Sequence, residues 1–252
     1  MKLTILGSGT SHGIPVIGCN CEVCSSKDPR DTRWRSSLLV ENEGTSVVID
    51  TGYEFRLQLL RANVKKLDGV LYTHAHADHL VGLDDLRVFC KDRRLDIYAP
   101  EKIIWQIADK FPYAFSENPG QGIPQLRANK VNSHEIFKLG SLDIMPIPVM
   151  HGCNLISGYR IGKAAYITDV SDIRIEDNRE YLENLDVLII GALREAPHPT
   201  HYSFSEAVEA VKDLNAKRVI FTHINHSTLH SQIELKYKGI AEPAYDMLTL
   251  EV

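Results

Sequence analysis

Residues 73–79 read Thr73-His74-Ala75-His76-Ala77-Asp78-His79 and follow directly on the apolar run Val70-Leu71-Tyr72. Three imidazoles and one carboxylate within six residues offer the nitrogen and oxygen donors that suit zinc, manganese or iron. Histidines that are merely capped or buried one at a time do not gather in this way. On an extended turn His74 and His76 face one ion, and Asp78 and His79 face a second. A pair of ions needs donors from elsewhere, and three further strand ends supply them. His151 follows the run 145–149, Asp169 follows 165–168, and His223 follows 219–222. Seven candidate ligands therefore stand at four strand ends.

Working outward, short apolar runs recur at 3–6, 38–40, 46–49, 69–72, 95–98, 142–146, 164–167, 187–190 and 219–221. Each has strand length, and several are β-branched. Helical periodicity marks 55–63, 102–111, 177–184 and 204–214, the last with Ser203 as N-cap and Glu206 three residues on. The chain of 252 residues is long enough for a sizeable core. The mixture predicts an α/β fold of layered sheets with helices outside, in one domain over 1–252. The least regular stretch, 112–133, carries Pro119, Gly120, Gly122 and Pro124 and reads as a lid or an insertion.

Composition excludes several classes. Hydrophobic residues make up 44% and charged residues 24%, as in ordinary globular proteins. Lys plus Arg number 28 against 33 Asp plus Glu, a net charge of -5, which disfavours loose binding of long nucleic acid. No apolar stretch approaches the ~20 residues of a membrane-spanning helix. The opening residues 1–7 are too short for a signal-peptide core, so a cytoplasmic address is expected. Three of the five cysteines crowd into Cys19-Asn20-Cys21-Glu22-Val23-Cys24, which reads as metal ligation in a reducing compartment. Arg30, Arg33 and Arg35, interleaved with aspartates, read as a solvated charge run in preference to a grip on a remote phosphate.

The residues His74 to His79, then His151, Asp169 and His223 in that order, with Asp50-Thr51-Gly52 after a strand, resemble the metallo-β-lactamase-fold hydrolases. The resemblance spans most of the chain and implies an αββα four-layer sandwich with a two-metal site. In it His74, His76 and His151 hold one ion, Asp78, His79 and His223 hold the other, and Asp169 bridges both. Gly7-Ser8-Gly9-Thr10-Ser11-His12-Gly13-Ile14-Pro15 and the cysteine cluster narrow the likeness to PhnP-type phosphodiesterases. That branch implies a separate structural zinc held by Cys19, Cys21, Cys24 and a histidine matching His226. A closed Cys3His site staples chain segments and does not catalyse. The branch also implies a histidine beside the metals that meets the phosphate or the leaving oxygen. His201 matches it better than His198, because it stands closer to the start of the 204–214 helix.

The expected function is hydrolysis of a small phosphodiester, a cyclic ribose phosphate above all, by a hydroxide bridging two divalent ions (manganese, zinc or iron). Asp78 and Asp169 would position metals and hydroxide, and His201 would meet developing charge. Two other activities share the scaffold, namely tRNA 3′-processing of the ribonuclease Z kind and lactone or thioester hydrolysis. The expected partner is a small-molecule substrate, with no membrane and no long nucleic acid. A homodimer is usual for the family that the chain resembles.

Overall fold

Strands covered on both faces carry apolar residues at consecutive positions, and many of the runs above have that character. The computed structural model describes residues 1–117 and 122–252. Its first sheet is built from β1 (Lys2–Gly7), β2 (Ser37–Asn42), β3 (Thr45–Ile49), β4 (Gly69–Leu71), β5 (Leu95–Ala99), β6 (Leu126–Lys130) and β14 (Thr249–Glu251). The second holds β7 (Phe137–Leu139), β8 (Leu142–His151), β9 (Asn154–Ile161), β10 (Ala164–Ile167), β11 (Val187–Gly191), β12 (Arg218–Thr222) and β13 (Glu242–Pro243). Among the described residues the orders are β14-β1-β2-β3-β4-β5-β6 and β13-β12-β11-β10-β9-β8-β7. Strands β3 to β6 run parallel to one another, as do β10 to β13.

Alternation along the strands divides the core into three. Leu3, Ile5, Val47 and Ile49 of the first sheet meet Ile144, Tyr159, Val187 and Ile189 of the second. The intervening residues point outward. Leu6, Val48 and Val70 pack beneath Phe55 and Leu59 of α1 (Phe55–Arg61) and Ile103, Ile104 and Ile107 of α3 (Glu101–Lys110). Leu188, Ile190 and Phe221 pack beneath Leu182 of α4 (Ile175–Leu182), Phe204 of α5 (Phe204–Val211) and Ile233 of α6 (His230–Lys236). The fold is therefore the αββα sandwich. A short α2 (Ala77–Leu80) follows β4.

Each expected strand run falls on an observed strand, to within one residue except that β2 ends two residues and β8 five residues beyond the expected run, and the four expected helices form with shifted ends. Ser203 does cap α5: its hydroxyl accepts from the Glu206 N–H, and the Glu206 carboxylate accepts from the Ser203 N–H at 2.8 Å. The stretch 112–133 is more ordered than its composition suggests. It holds a 3-10 turn at Pro112–Phe115 and the edge strand β6, while residues 118–121, with Pro119 and Gly120, lie outside the described residues.

The arginine run also differs from expectation. Arg33 is 1% exposed; it donates to Ser8 Oγ (3.0 Å), to the Ala244 carbonyl and to His230 Nδ1 (3.1 Å). The Asp31 carboxylate accepts from the His230 N–H, and Asp246 accepts from Ser8 and from the Trp34 N–H. Arg30 pairs with Asp28 and Glu234, and Arg35 with Glu54. This network ties the N-terminal loop to the C-terminal segment. Among the described residues, no helix is long and apolar enough to cross a membrane.

Candidate metal centre

The turn after β4 must project several polar side chains from one backbone, and it does so against the Asp50-Thr51-Gly52 turn after β3. The Thr51 N–H donates to the His79 carbonyl at 2.7 Å. A Cβ on Gly52 would stand 2.4 Å from the Asp78 carbonyl oxygen, so only glycine allows the two turns to touch. His151 ends β8, Asp169 stands just past β10, and His223 follows β12 directly. Asp50, Asp169 and His223 all adopt left-handed backbone, with φ of 64°, 49° and 58°. Asp and His are among the non-glycine types that tolerate it.

The sequence-chosen ligands form two adjoining groups. His74, His76, His151 and Asp169 bring one ligand atom each to within 4.8 Å of one another, and so do Asp78, His79, Asp169 and His223. Asp169 belongs to both, and its two oxygens divide between them. Oδ1 lies 3.2 Å from His79 Nε2 and 3.2 Å from His223 Nε2, while Oδ2 lies 3.8 Å from His74 Nε2. Asp78 Oδ2 is 3.2 Å from His79 Nε2.

Hydrogen bonds behind the rings set their tautomers. His79 Nδ1 donates to Asp50 Oδ2 at 2.7 Å. The Thr73 hydroxyl donates to the same carboxylate at 2.7 Å, which leaves its oxygen to accept from His74 Nδ1 at 2.9 Å. His151 Nδ1 donates to the Thr200 carbonyl at 2.8 Å. Each Nε2 is thereby left with its lone pair facing inward, the arrangement in which imidazoles bind metals. Those of His74, His79 and His223 are buried and have no hydrogen-bond partner among the described residues. Orphaned buried nitrogens are costly, and divalent cations between them would remove that cost. The residues fit such ions.

The electrostatics agree. Burial first, then His79, holds His74 well below the ordinary histidine range, and burial with His151 lowers His76. Burial opposes ionisation of Asp169, yet His223 and His79 hold its carboxyl well below the usual range. Burial likewise opposes a charge on His79, but Asp169, Asp78 and Asp50 raise its pKa well above normal. Positive charge is thus favoured where three carboxylates converge.

His201 lies between the two groups, its ring centroid 4.7 Å from that of His151 and 4.8 Å from that of His223. Burial, then His223, brings its pKa down to about 3, so it is a neutral imidazole near pH 7. His198 sits farther out, 5.1 Å from His201, with Nδ1 accepting from Thr200.

The third group is separate. Cys19, Cys21 and Cys24 place their sulfurs 3.4, 3.4 and 3.5 Å from His226 Nδ1. With Zn–S near 2.3 Å and Zn–N near 2.0–2.1 Å, a tetrahedral ion puts sulfur and nitrogen about 3.5 Å apart. The spacing matches. Backbone N–H groups of Cys24 and Val16 donate to Cys21 and Cys24 sulfurs at 3.4 and 3.3 Å. The Cys24 N–H first, then His226, lowers the Cys21 thiol to about 6.

Sequence reading named Asp50 within a motif but gave it no task; its position right after an apolar strand, before Thr-Gly, was the available signal. It gave no task to Lys102, Gln106 and Lys110 of α3. These line a cavity of about 150 Å³ together with His74, His76 and His151.

Among the described residues, two seven-stranded sheets between helical layers, with paired His/Asp ligand sets at the strand ends, define the class as metallo-β-lactamase-fold hydrolases. The sequence model of the beta-lactamase superfamily domain matches residues 45–224. A crystal structure described as a new diphosphatase from the PhnP family superposes with a TM-score of 0.92 at 42% identity, covering 100% of this chain and 96% of that one. The chain belongs to the beta-lactamase superfamily, on its PhnP branch. An octanoyltransferase of Porphyromonas gingivalis is 39% identical over 245 residues, 96% of this chain and 49% of that protein. The chain thus spans about half the length of this curated relative. A ribonuclease Z of Listeria monocytogenes is 26% identical over 321 residues, covering 100% of this chain and 99% of its own.

Proposed function

We infer that this protein is a two-metal hydrolase of small phosphodiesters or diphosphates, with cyclic ribose phosphates foremost. The observation that carries the reading is Asp169, whose two oxygens divide between two ligand groups in which three histidine Nε2 atoms find no hydrogen-bond partner among the described residues. His74, His76, His151 and Asp169 would hold one divalent ion, and Asp78, His79, Asp169 and His223 the other. Such a pair supplies Lewis acidity toward phosphoryl oxygens and a nucleophile from water near neutral pH. Manganese, zinc and iron all suit this donor set.

The chain's own residues do the rest. Asp50 and Thr73 keep His79 and His74 in the tautomers that present Nε2. His201, neutral near pH 7, donates an N–H to a phosphoryl oxygen as charge develops there, instead of delivering a stored proton. Cys19, Cys21, Cys24 and His226 would hold a structural zinc that ties the N-terminal loop to the segment after β12. Likeness to the PhnP-family diphosphatase supports phosphorus chemistry, and the net charge of -5 supports a compact substrate over tRNA. Acyl-thioester hydrolysis is the second reading, favoured by likeness to a protein named octanoyltransferase.

Metal-loaded protein should cleave bis-p-nitrophenyl phosphate, 2′,3′-cyclic nucleotides or phosphoribosyl 1,2-cyclic phosphate, and leave an octanoyl thioester, a lactone and a pre-tRNA intact. Turnover of the thioester or lactone without phosphodiester cleavage refutes the reading. His201→Ala should lower kcat about 100-fold to 1000-fold, the effect of one transition-state donor, with metal content unchanged. Loss of metal in that variant would instead make His201 a ligand.

A further inference from the structure

A second cavity, of about 940 Å³, lies between α6 and the C-terminal segment, and none of its lining residues belongs to the Asp169 clusters. Its size is that of a small-molecule site. His230, the first residue of α6, forms part of its wall. That residue is 2% exposed and is fixed from two sides: its backbone N–H donates to Asp31 at 2.7 Å, and its Nδ1 accepts from Arg33 at 3.1 Å. With Nδ1 accepting, the ring hydrogen stands on Nε2. Arg33 does not line the cavity, so Nδ1 faces the fold and the Nε2 edge faces the opening. Among the described residues this N–H has no acceptor. A guanidinium bound to the other nitrogen polarises the ring and makes the free N–H a stronger donor.

Lys238 also lines the cavity and pairs with no carboxylate among the described residues. The two acids of the lining are engaged, Glu234 with Arg30 at 3.3 Å and Glu242 with Arg218 at 2.8 Å. Tyr245 is half-buried, with its ring edge-on to that of His230 at 5.8 Å, and Pro243 and Leu248 continue the apolar surface. A bare inorganic anion would satisfy Lys238 and His230 but leave Tyr245 and its neighbours wet. A hydrocarbon would cover the ring and leave two donors unanswered. A phosphate carried on a planar body answers both, and paired carboxylates keep lone pairs for the hydroxyls of a sugar.

We propose that this cavity is a binding site for a nucleoside monophosphate, separate from the paired-ligand centre. The phosphate meets Lys238 and the His230 Nε2–H, and the base lies against Tyr245. Lysine binds phosphate as a point charge, and an aromatic ring stacks on any base. The site is independent of what is hydrolysed at the Asp169 clusters.

The test titrates AMP calorimetrically into the full, metal-loaded chain. Native protein should bind one equivalent that Lys238→Glu and Tyr245→Ala each weaken about tenfold, while Tyr245→Phe keeps it. Adenosine and inorganic phosphate, each lacking half of the contacts, should bind more weakly than AMP. Lys238 is exposed, so Lys238→Glu should melt at the native temperature without AMP, and AMP should raise the melting point of native protein more than that of the variant. No AMP binding to native protein overturns the assignment. So does a Kd within twofold of native in either loss variant, because AMP would then be sitting at the metal centre. Inorganic phosphate binding as tightly as AMP would overturn the nucleotide as its ligand.

Discussion

Asp50→Asn isolates the most consequential contact behind the metal centre. The native carboxylate is fully buried and accepts three hydrogen bonds: from the Thr73 N–H at 2.9 Å, the Thr73 hydroxyl at 2.7 Å and His79 Nδ1 at 2.7 Å. An amide has one acceptor where the carboxylate has two. Whichever way it turns, at least one of the three donors meets an NH2 group. One orphaned buried donor costs about 1–3 kcal/mol, so urea unfolding should show a loss of that size. Loss of the buried negative charge also makes His79 a poorer ligand, and partners of this kind typically change metal affinity 10–100-fold. Chelator competition read by elemental analysis should show the paired ions bound 10–100-fold more weakly, with the thiolate-bound zinc unaffected. If the variant keeps both native stability and native affinity within twofold, the Asp50 tether does not set the ligand geometry.

Cys21→Ala should reduce zinc content by one equivalent and lower thermal stability before it touches turnover, since the thiolate group lies apart from the paired ligands; full stability with unchanged zinc would end the staple account. His230 supplies a pH test. Burial first, then Arg33, lowers its pKa to about 4, because Nδ1 must stay unprotonated to accept from Arg33. Its folded value lies below the unfolded one, so its contribution is complete above about pH 6.5 and is lost as pH falls through 4. The difference corresponds to roughly 3 kcal/mol, reduced to about 2 by solvent in the groove that His230 lines. The stability gap between native protein and His230→Asn should therefore shrink by about 2 kcal/mol between pH 7 and pH 4 in urea titrations. A gap independent of pH would show that the ring is not buried against a cation.

What was legible in the sequence was what is local. Runs such as Val187 to Ile190 are apolar at every position because both faces of β11 are covered, and that shows in four letters. The strands that were missed lack such a mark. In β9 the apolar pattern is broken by Ser157 and Gly158, the latter because a Cβ there would stand 2.9 Å from the Ile167 side chain. Edge strand β6 carries Arg127 and Lys130 in exposed positions and a half-buried Asn129 that donates to Asp96. His74 to His79 announced themselves by sharing one turn. Arg33 was misread because its partners, Ala244 and His230, are about two hundred positions away. On α3, lysines four apart look like any solvated helix face until the fold turns them toward the histidines.

The left-handed backbone at Asp50, Asp169 and His223 has a consequence for anyone evolving this molecule. Each such residue carries roughly 1–2 kcal/mol that glycine would release. At Asp50 the three hydrogen bonds outweigh that release, but at Asp169 and His223 a campaign that rewards heat resistance alone would favour glycine. Its sturdiest winners would be inert.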